Sequence, residues 1–286
     1  MARDQDGNQV MGESGLGQLT LGQRWTAYQK REVVLRLFRA EPLELIKADL
    51  EASPFQGEGH RKVWARLRVR DGVKVGRRRV LRIMRENNLL SPYRGRRGNP
   101  ALHQGEITTQ APNLMWGSDG AKVFTVEDGW GWTFVAVKHW NAECLGRHVC
   151  KQGTSFAALE PISQGLMSTV GSVAADAGRG LALRMDHGTQ YLSDHFQNQI
   201  KHWRVNPSFA FIEQPQTNGV AERFIRTLKE QVIYGRVFQN LQEVRAAVGL
   251  FVDTYNREWL VEKNGFLSPW QAKAQWLDQA SFARAA

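Results

Sequence analysis

The 286-residue chain is 42% hydrophobic and 10% aromatic, enough to build a sizeable core, which excludes a wholly disordered protein. No apolar run approaches the roughly 20 residues of a membrane-spanning helix, and "MARDQDGNQVMGESG" does not read as a signal peptide. The formal charge is +10, with 38 Lys and Arg against 28 Asp and Glu.

Residues 1–22 are polar and Gly-rich, and we expect them to be disordered. A partial helical segment is expected over 23–50, with Val33, Val34, Leu37 and Phe38 at helical spacing before Pro42, which starts a second helix or breaks the first. Between Pro54 and Gly98 stand 14 Lys and Arg against three acids, so the positive charge belongs to this segment alone. That concentration is the footprint of a phosphate-binding module. Val63, Trp64 and Leu67 mark one short helix, "RDGVKVG" a turn with Gly76 as N-cap, and Val80, Leu81, Ile83 and Met84 a second helix. The second helix carries Arg77, Arg78, Arg79, Arg82 and Arg85, so residues 51–98 read as a helix-turn-helix that grips DNA, although a plain αα-hairpin has the same periodicity. Residues 99–112 read as a linker.

From Asn113 the period changes. "LMWGSD" and "AKVFTV", "EDG" as a hairpin turn, "WGWTFVAVKHW" and "ECLGRHVC" give three strands in succession. "TSFAALEPISQGLMSTV" is helical, with Pro161 expected to kink or restart it. "GLALRMD" is a buried strand, "SDHFQNQIKHW" a helix, "VNPSFAF" a short strand, and "GVAERFIRTLKE" a helix, followed by an amphipathic helix from about Leu241 to Tyr255. The order predicts an α/β domain with a mixed sheet flanked by helices, preceded by a small all-α region. Cys144 and Cys150 lack a CxxC pattern, so we expect neither a zinc site nor a disulfide framework, but a reduced, cytoplasmic protein.

Three carboxylates stand out. Asp119 lies in or at the end of the first strand, Asp186 ends the buried strand ahead of the turn "HGTQY", and Glu222 sits in the first turn of a later helix. Each alone reads as a turn-former or an exposed acid. Brought together they would repel one another unless a cation sat among them, and Mg²⁺ favours a few carboxylates with room left for phosphate oxygens. Thirty-five residues, 187–221, separate the last two.

The segments "MWGSD", "RMDHGTQYLSDHFQ", "QTNGVAERFIRTLKE" and "YNREWLVEKNGFLSPWQAKAQ" resemble the DDE transposase and integrase superfamily. Within it, the likeness is to the integrase-core reading frame of bacterial insertion-sequence transposases, related to retroviral integrases, and it runs from about Ser53 to Gln275. The resemblance implies a ribonuclease-H-like core over 113–235, with a C-terminal helical extension and tail over 236–286. It makes Asp119, Asp186 and Glu222 catalytic metal ligands for Mg²⁺, which Mn²⁺ can replace, with His187, Gln190 and Asp194 as second-choice positions. Arg226 and Lys229 would meet the DNA backbone, while Asn218 and Gly219 let DNA approach Glu222. The implied partners are double-stranded DNA of element ends and target, further copies of the chain, and a separate end-recognition protein, with action at the bacterial nucleoid. "KREVVLRLFRAEPLEL" resembles the start of the family's end-recognition helix-turn-helix, but its recognition helix and coiled coil are missing, and "SDGAK" stands where the family often has a threonine. Two other readings share the sequence: a DNA-binding remnant without catalysis, and a nuclease acting on RNA–DNA hybrids.

Overall fold

The computed structural model describes residues 41–93, 109–209 and 219–285. The stretch 1–22, the first part of the helical segment expected over 23–50, most of the linker and the loop ahead of Glu222 lie outside the described residues. The chain divides into two compact units: residues 1–53 with 57–91, and 54–56 with 92–286.

In the first unit, α1 (Glu41–Ala52) carries Pro42 in its first turn, where the missing N–H costs nothing. Then come α2 (His60–Ala65), continued by a π turn (Arg66–Arg70), and α3 (Arg77–Glu86). Gly76 is the N-cap of α3 in extended conformation, as its position after the turn predicts. Ile46, Val63, Leu67, Val75, Val80, Ile83 and Met84 close a small core. The guanidinium of Arg66 bridges Asp49 (2.7 and 2.8 Å) and Glu58 (2.5 Å), with Lys62 on Glu58 at 3.2 Å and Arg70 on Asp49 at 3.0 Å. Burial would raise the Glu58 carboxyl, but Lys62, Arg66 and the Ser53 hydroxyl outweigh it and hold it below its ordinary value.

The second unit is a five-stranded mixed sheet covered by helices on both faces. β1 (Met115–Thr125), β2 (Gly129–Lys138) and β3 (Cys144–Cys150) form an antiparallel meander, while β4 (Ala182–Met185) and β5 (Asn206–Phe209) run parallel to β1. The sheet order β3-β2-β1-β4-β5 is the ribonuclease-H-like arrangement, with β1 in the middle. α4 (Ser155–Val170) crosses from the meander to β4, and α5 (Thr189–Leu192) with α6 (Asp194–His202) connects β4 to β5. α7 (Gly219–Leu228) ends in a π turn (Lys229–Ile233), and α8 (Leu241–Glu258) and α9 (Pro269–Ala285) complete the chain. Pro161 lies inside α4 without interrupting it. It is packed on Gly146 of β3, where an added Cβ would come within 2.1 Å of the Pro161 carbonyl oxygen.

Successive strand residues face opposite sides, so β1 serves two cores at once. Ala121 and Val123 join Phe224, Ile225 and Leu228 of α7 and Val244, Val248 and Phe251 of α8 on one side. Trp116 joins Ile162 and Leu166 of α4 and Phe196 and Ile200 of α6 on the other. β2 supplies Val135 and Val137 to the first core and Phe134 and Ala136 to the second, which accounts for its nearly unbroken apolar run. The short piece Pro54–Gln56 belongs to this unit: the Phe55 ring meets Trp259 edge-on at 4.8 Å. Among the described residues no helix is long and apolar enough to cross a membrane.

Candidate active site

Strand register brings the two aspartates level. In the parallel pair, Met115 lies beside Ala182 and Gly117 beside Arg184, and two further residues along each chain give Asp119 beside Asp186. Asp119 sits in mid-strand, paired with Val135 across the antiparallel side, and its alternation places it on the face covered by α7 and α8. Asp186 stands one residue beyond the end of β4, at the carboxyl end of a parallel strand where α/β sheets gather ligands.

Local hydrogen bonds hold both aspartates. The Gly120 amide donates to Asp119 Oδ1 at 2.7 Å, and the Gly188 amide donates to Asp186 Oδ1 at 2.8 Å. Position 188 tolerates only glycine without rearrangement, because a Cβ there would stand 2.9 Å from Asp186 Oδ1 and 2.4 Å from the Gln190 amide nitrogen. Glu222 lies in the first turn of α7, the positive end of that helix.

The electrostatics register the meeting of the three. The Asp119 carboxyl is raised to about 7, first by burial and then by the charges of Asp186 and Glu222, against the opposing Gly120 amide and the Lys229 ammonium. Glu222 is raised as well, by burial and then by Asp186. Asp119, Glu222, Arg226 and Lys229 line one cleft of about 460 Å³ together with Tyr93, Ile225, Glu230 and Tyr234. Asp186 is exposed beside it and is not among the lining residues. Among the described residues no three His, Cys, Asp or Glu are grouped closely enough to hold an ion as they stand. The donor set nonetheless fits a hard divalent cation: all its atoms are carboxylate oxygens, and their mutual repulsion is what such a cation would relieve.

The predicted DNA-contacting residues divide between the two units. Arg77, Arg78, Arg82 and Arg85 are exposed on α3 and Arg79 is half-buried, while Val80, Ile83 and Met84 of the same helix fill the small core. Arg82 approaches Glu86 at 3.8 Å. In the second unit, Arg226 donates to Glu230 at 2.9 Å and to the Tyr93 carbonyl at 3.4 Å, and Lys229, two turns beyond Glu222, borders the cleft.

Of the second-choice positions, His187 stacks on Phe209 at 5.3 Å and Gln190 lies against Gly188. Asp194 is in the first turn of α6, whose N-cap is Ser193. Asn218 lies outside the described residues, and Gly219 opens α7. Sequence reasoning missed Glu230 and Tyr93. The i,i+4 spacing from Arg226 could have found Glu230, whereas nothing in "SPYRGRR" marks Tyr93.

The chain is similar to known proteins in two segments and along much of its length. Residues 55–97 match the HTH-like domain family, and residues 203–259 match the Integrase core domain family. A Mycobacterium tuberculosis protein named for insertion sequence element IS986/IS6110 is 25% identical over 261 residues, 87% of this chain and 93% of that protein. The transposase for insertion sequence element IS629 of Shigella sonnei is 25% identical over 228 residues, 75% of this chain and 73% of that protein. Among solved structures, the HTLV-2 integrase catalytic core domain in complex with magnesium is 19% identical. It covers 57% of this chain and 97% of its own, at a TM-score of 0.37.

Proposed function

From the chain's similarity to insertion-sequence transposases, with segments that match an HTH-like domain and an integrase core domain, we propose a Mg²⁺-dependent enzyme of DNA transposition. Its proposed ligands are Asp119, Asp186 and Glu222. One observation carries the reading: a carboxylate in the middle of the central strand lines one cleft with Glu222 and, by the β1–β4 register, lies level with Asp186. Nothing in ordinary folding requires that arrangement, and it costs stability, so we read it as a cation site. The bound ion would supply activation of an oxygen nucleophile and stabilisation of the leaving oxygen.

The protein's own groups do the rest. Lys229, and Arg226 once released from Glu230, hold the scissile phosphate's neighbours by charge-assisted hydrogen bonds. The α3 arginines grip duplex backbone, and they orient the DNA without specifying its sequence. In cleavage, a water oxygen bonds to phosphorus as the P–O3′ bond breaks, leaving a 3′-hydroxyl and a 5′-phosphate. In transfer, that hydroxyl bonds to a target phosphorus as the target's own P–O3′ bond breaks. No covalent enzyme intermediate is needed. Holding two ends calls for more than one copy of the chain, acting in the cytoplasm on nucleoid DNA.

Nicking of supercoiled plasmid with Mg²⁺ or Mn²⁺ tests the proposal beside Glu222→Gln. The parent should nick and the variant should not. Equal nicking by both would discard the ligand assignment. Binding without nicking by the parent, with either ion and with element ends supplied, would leave a DNA-binding protein only.

A further inference from the structure

Beneath the two aspartates, on the other face of the sheet, lies a buried tyrosine that the proposed chemistry does not use. Tyr191 of the four-residue helix α5 is 0% exposed, and its hydroxyl lies 3.0 Å from Ser118 Oγ. Ser118, also 0% exposed, is the residue before Asp119, and Tyr191 is five residues beyond Asp186. One hydrogen bond therefore joins the strand that carries the first aspartate to the turn that carries the second. The ring is fixed independently: Phe196 meets it edge-on at 5.2 Å, and the Gln197 amide donates to the Tyr191 carbonyl at 2.7 Å. Its own amide donates to the Gly188 carbonyl at 2.9 Å, closing the turn that holds Asp186.

A packed apolar ring alone would fill this space. The hydroxyl is a polar group carried into a dry interior, a cost that only its hydrogen bond offsets. Burial raises the phenol well above its ordinary value, the Ser118 hydrogen bond opposes the rise, and the charges of Asp119 and Asp186 add smaller upward pushes. Because β1 and β4 are otherwise paired only from Met115 to Gly117, the ladder stops short of the aspartates themselves. Past that point the phenol–serine bond is what spans the two elements.

We infer that Tyr191 is a positioning residue, a brace through Ser118 that sets the separation of Asp119 and Asp186 and so the site's selectivity for Mg²⁺. The inference rests on the reading of those aspartates as ligands. Mg²⁺ demands a near-ideal octahedron with short bonds and tolerates displaced ligands poorly. Groups that orient metal ligands typically contribute 10- to 100-fold in affinity.

The test is calorimetric titration of the DNA-free full chain with MgCl₂ and with MnCl₂. Tyr191→Phe, which keeps the ring, should weaken Mg²⁺ binding about tenfold and Mn²⁺ binding less, with little change in Tm. Ser118→Ala removes the same bond from its other end and serves if the tyrosine variant does not fold. The double variant should be no worse than either single one. Parent-like Mg²⁺ affinity in a folded Tyr191→Phe or Ser118→Ala protein would overturn the brace while leaving the ligands standing, as would fully additive losses. A parent that takes up neither ion would overturn the ligand reading, and the brace with it.

Discussion

Among the described residues two gatherings of acids, one buried and one half-buried to exposed, are built on opposite principles. In the first unit, Asp49 and Glu58 lie among Arg66, Lys62 and Arg70, and Glu58 is held below its ordinary value despite burial. In the second, Asp119 is pushed up to about 7 by burial and by Asp186 and Glu222, with the Gly120 amide and the Lys229 ammonium in opposition. The first gathering is complete in itself and stabilises three short helices around a seven-residue core. The second is incomplete without something positive. The carboxyl shifts run in opposite directions accordingly, down where cations surround the acid and up where other acids do.

The sharpest way to break this comparison is to remove charge from the incomplete cluster under reaction conditions. Glu222→Gln should lower metal-dependent nicking by about a thousandfold or more, some 4 kcal/mol of transition-state stabilisation. The complete cluster should answer in stability. Arg66→Met leaves Asp49 and Glu58 short of their main cation and should destabilise the first unit by about 3–5 kcal/mol, read as lost amide-exchange protection in α1–α3.

pH should move the two regions in opposite senses. The raised Asp119 carboxyl binds its proton more tightly when folded, so its contribution is full below the unfolded value of 3.8 and is lost as pH rises through about 7. Asp119→Asn should therefore stabilise the metal-free protein in EDTA at pH 8 by about 2 kcal/mol, after allowance for partial water access, and by almost nothing at pH 4. Glu58 has the reverse sign: its contribution is present above the unfolded value of 4.5 and is lost as pH falls through its lowered folded value. A Glu58→Gln variant compared with the parent from pH 7 to pH 3 by urea denaturation should show its deficit shrink.

The smallest effect belongs to an exposed pair. Glu86→Gln, opposite Arg82 at 3.8 Å, should alter stability by less than about 0.5 kcal/mol in denaturant titration. Arg82→Ala should instead lower the salt dependence of duplex binding by about one phosphate contact.

Much of this was legible along the chain. The period-two pattern of β1–β3 and the punctuation of "EDG" gave the meander, and Pro42 and Gly76 marked helix starts that stand in the structure. Along the chain Asp119 could be put only in or at the end of the first strand; its face is set by the structure, where Ala121 and Val123 on the same side are core residues. What could not be read was pairing between segments far apart. Only the β1–β4 register puts Asp119 level with Asp186, and no local pattern states a register between strands separated by three other elements. The Ser118–Tyr191 bond is invisible for the same reason: a tyrosine after "HGTQ" reads as an ordinary apolar anchor. Pro161 was expected to kink or restart its helix. α4 instead runs through it, packed against a β3 glycine that periodicity cannot assign as its neighbour.

The π turn after α7 has a consequence for how this chain could change in length. A π turn absorbs about one residue more than an α turn. Trimming a single residue from Lys229–Ile233 should let the segment relax into α-helix while Val232 or its replacement still reaches the core. Removing Arg223 from Gly219–Leu228 would rotate Glu222 by about 100° relative to Phe224, Ile225 and Leu228, swinging the acid away from the aspartates. The helix thus has slack on one side of Lys229 and none on the other, and single-residue deletions should survive on the C-terminal side alone.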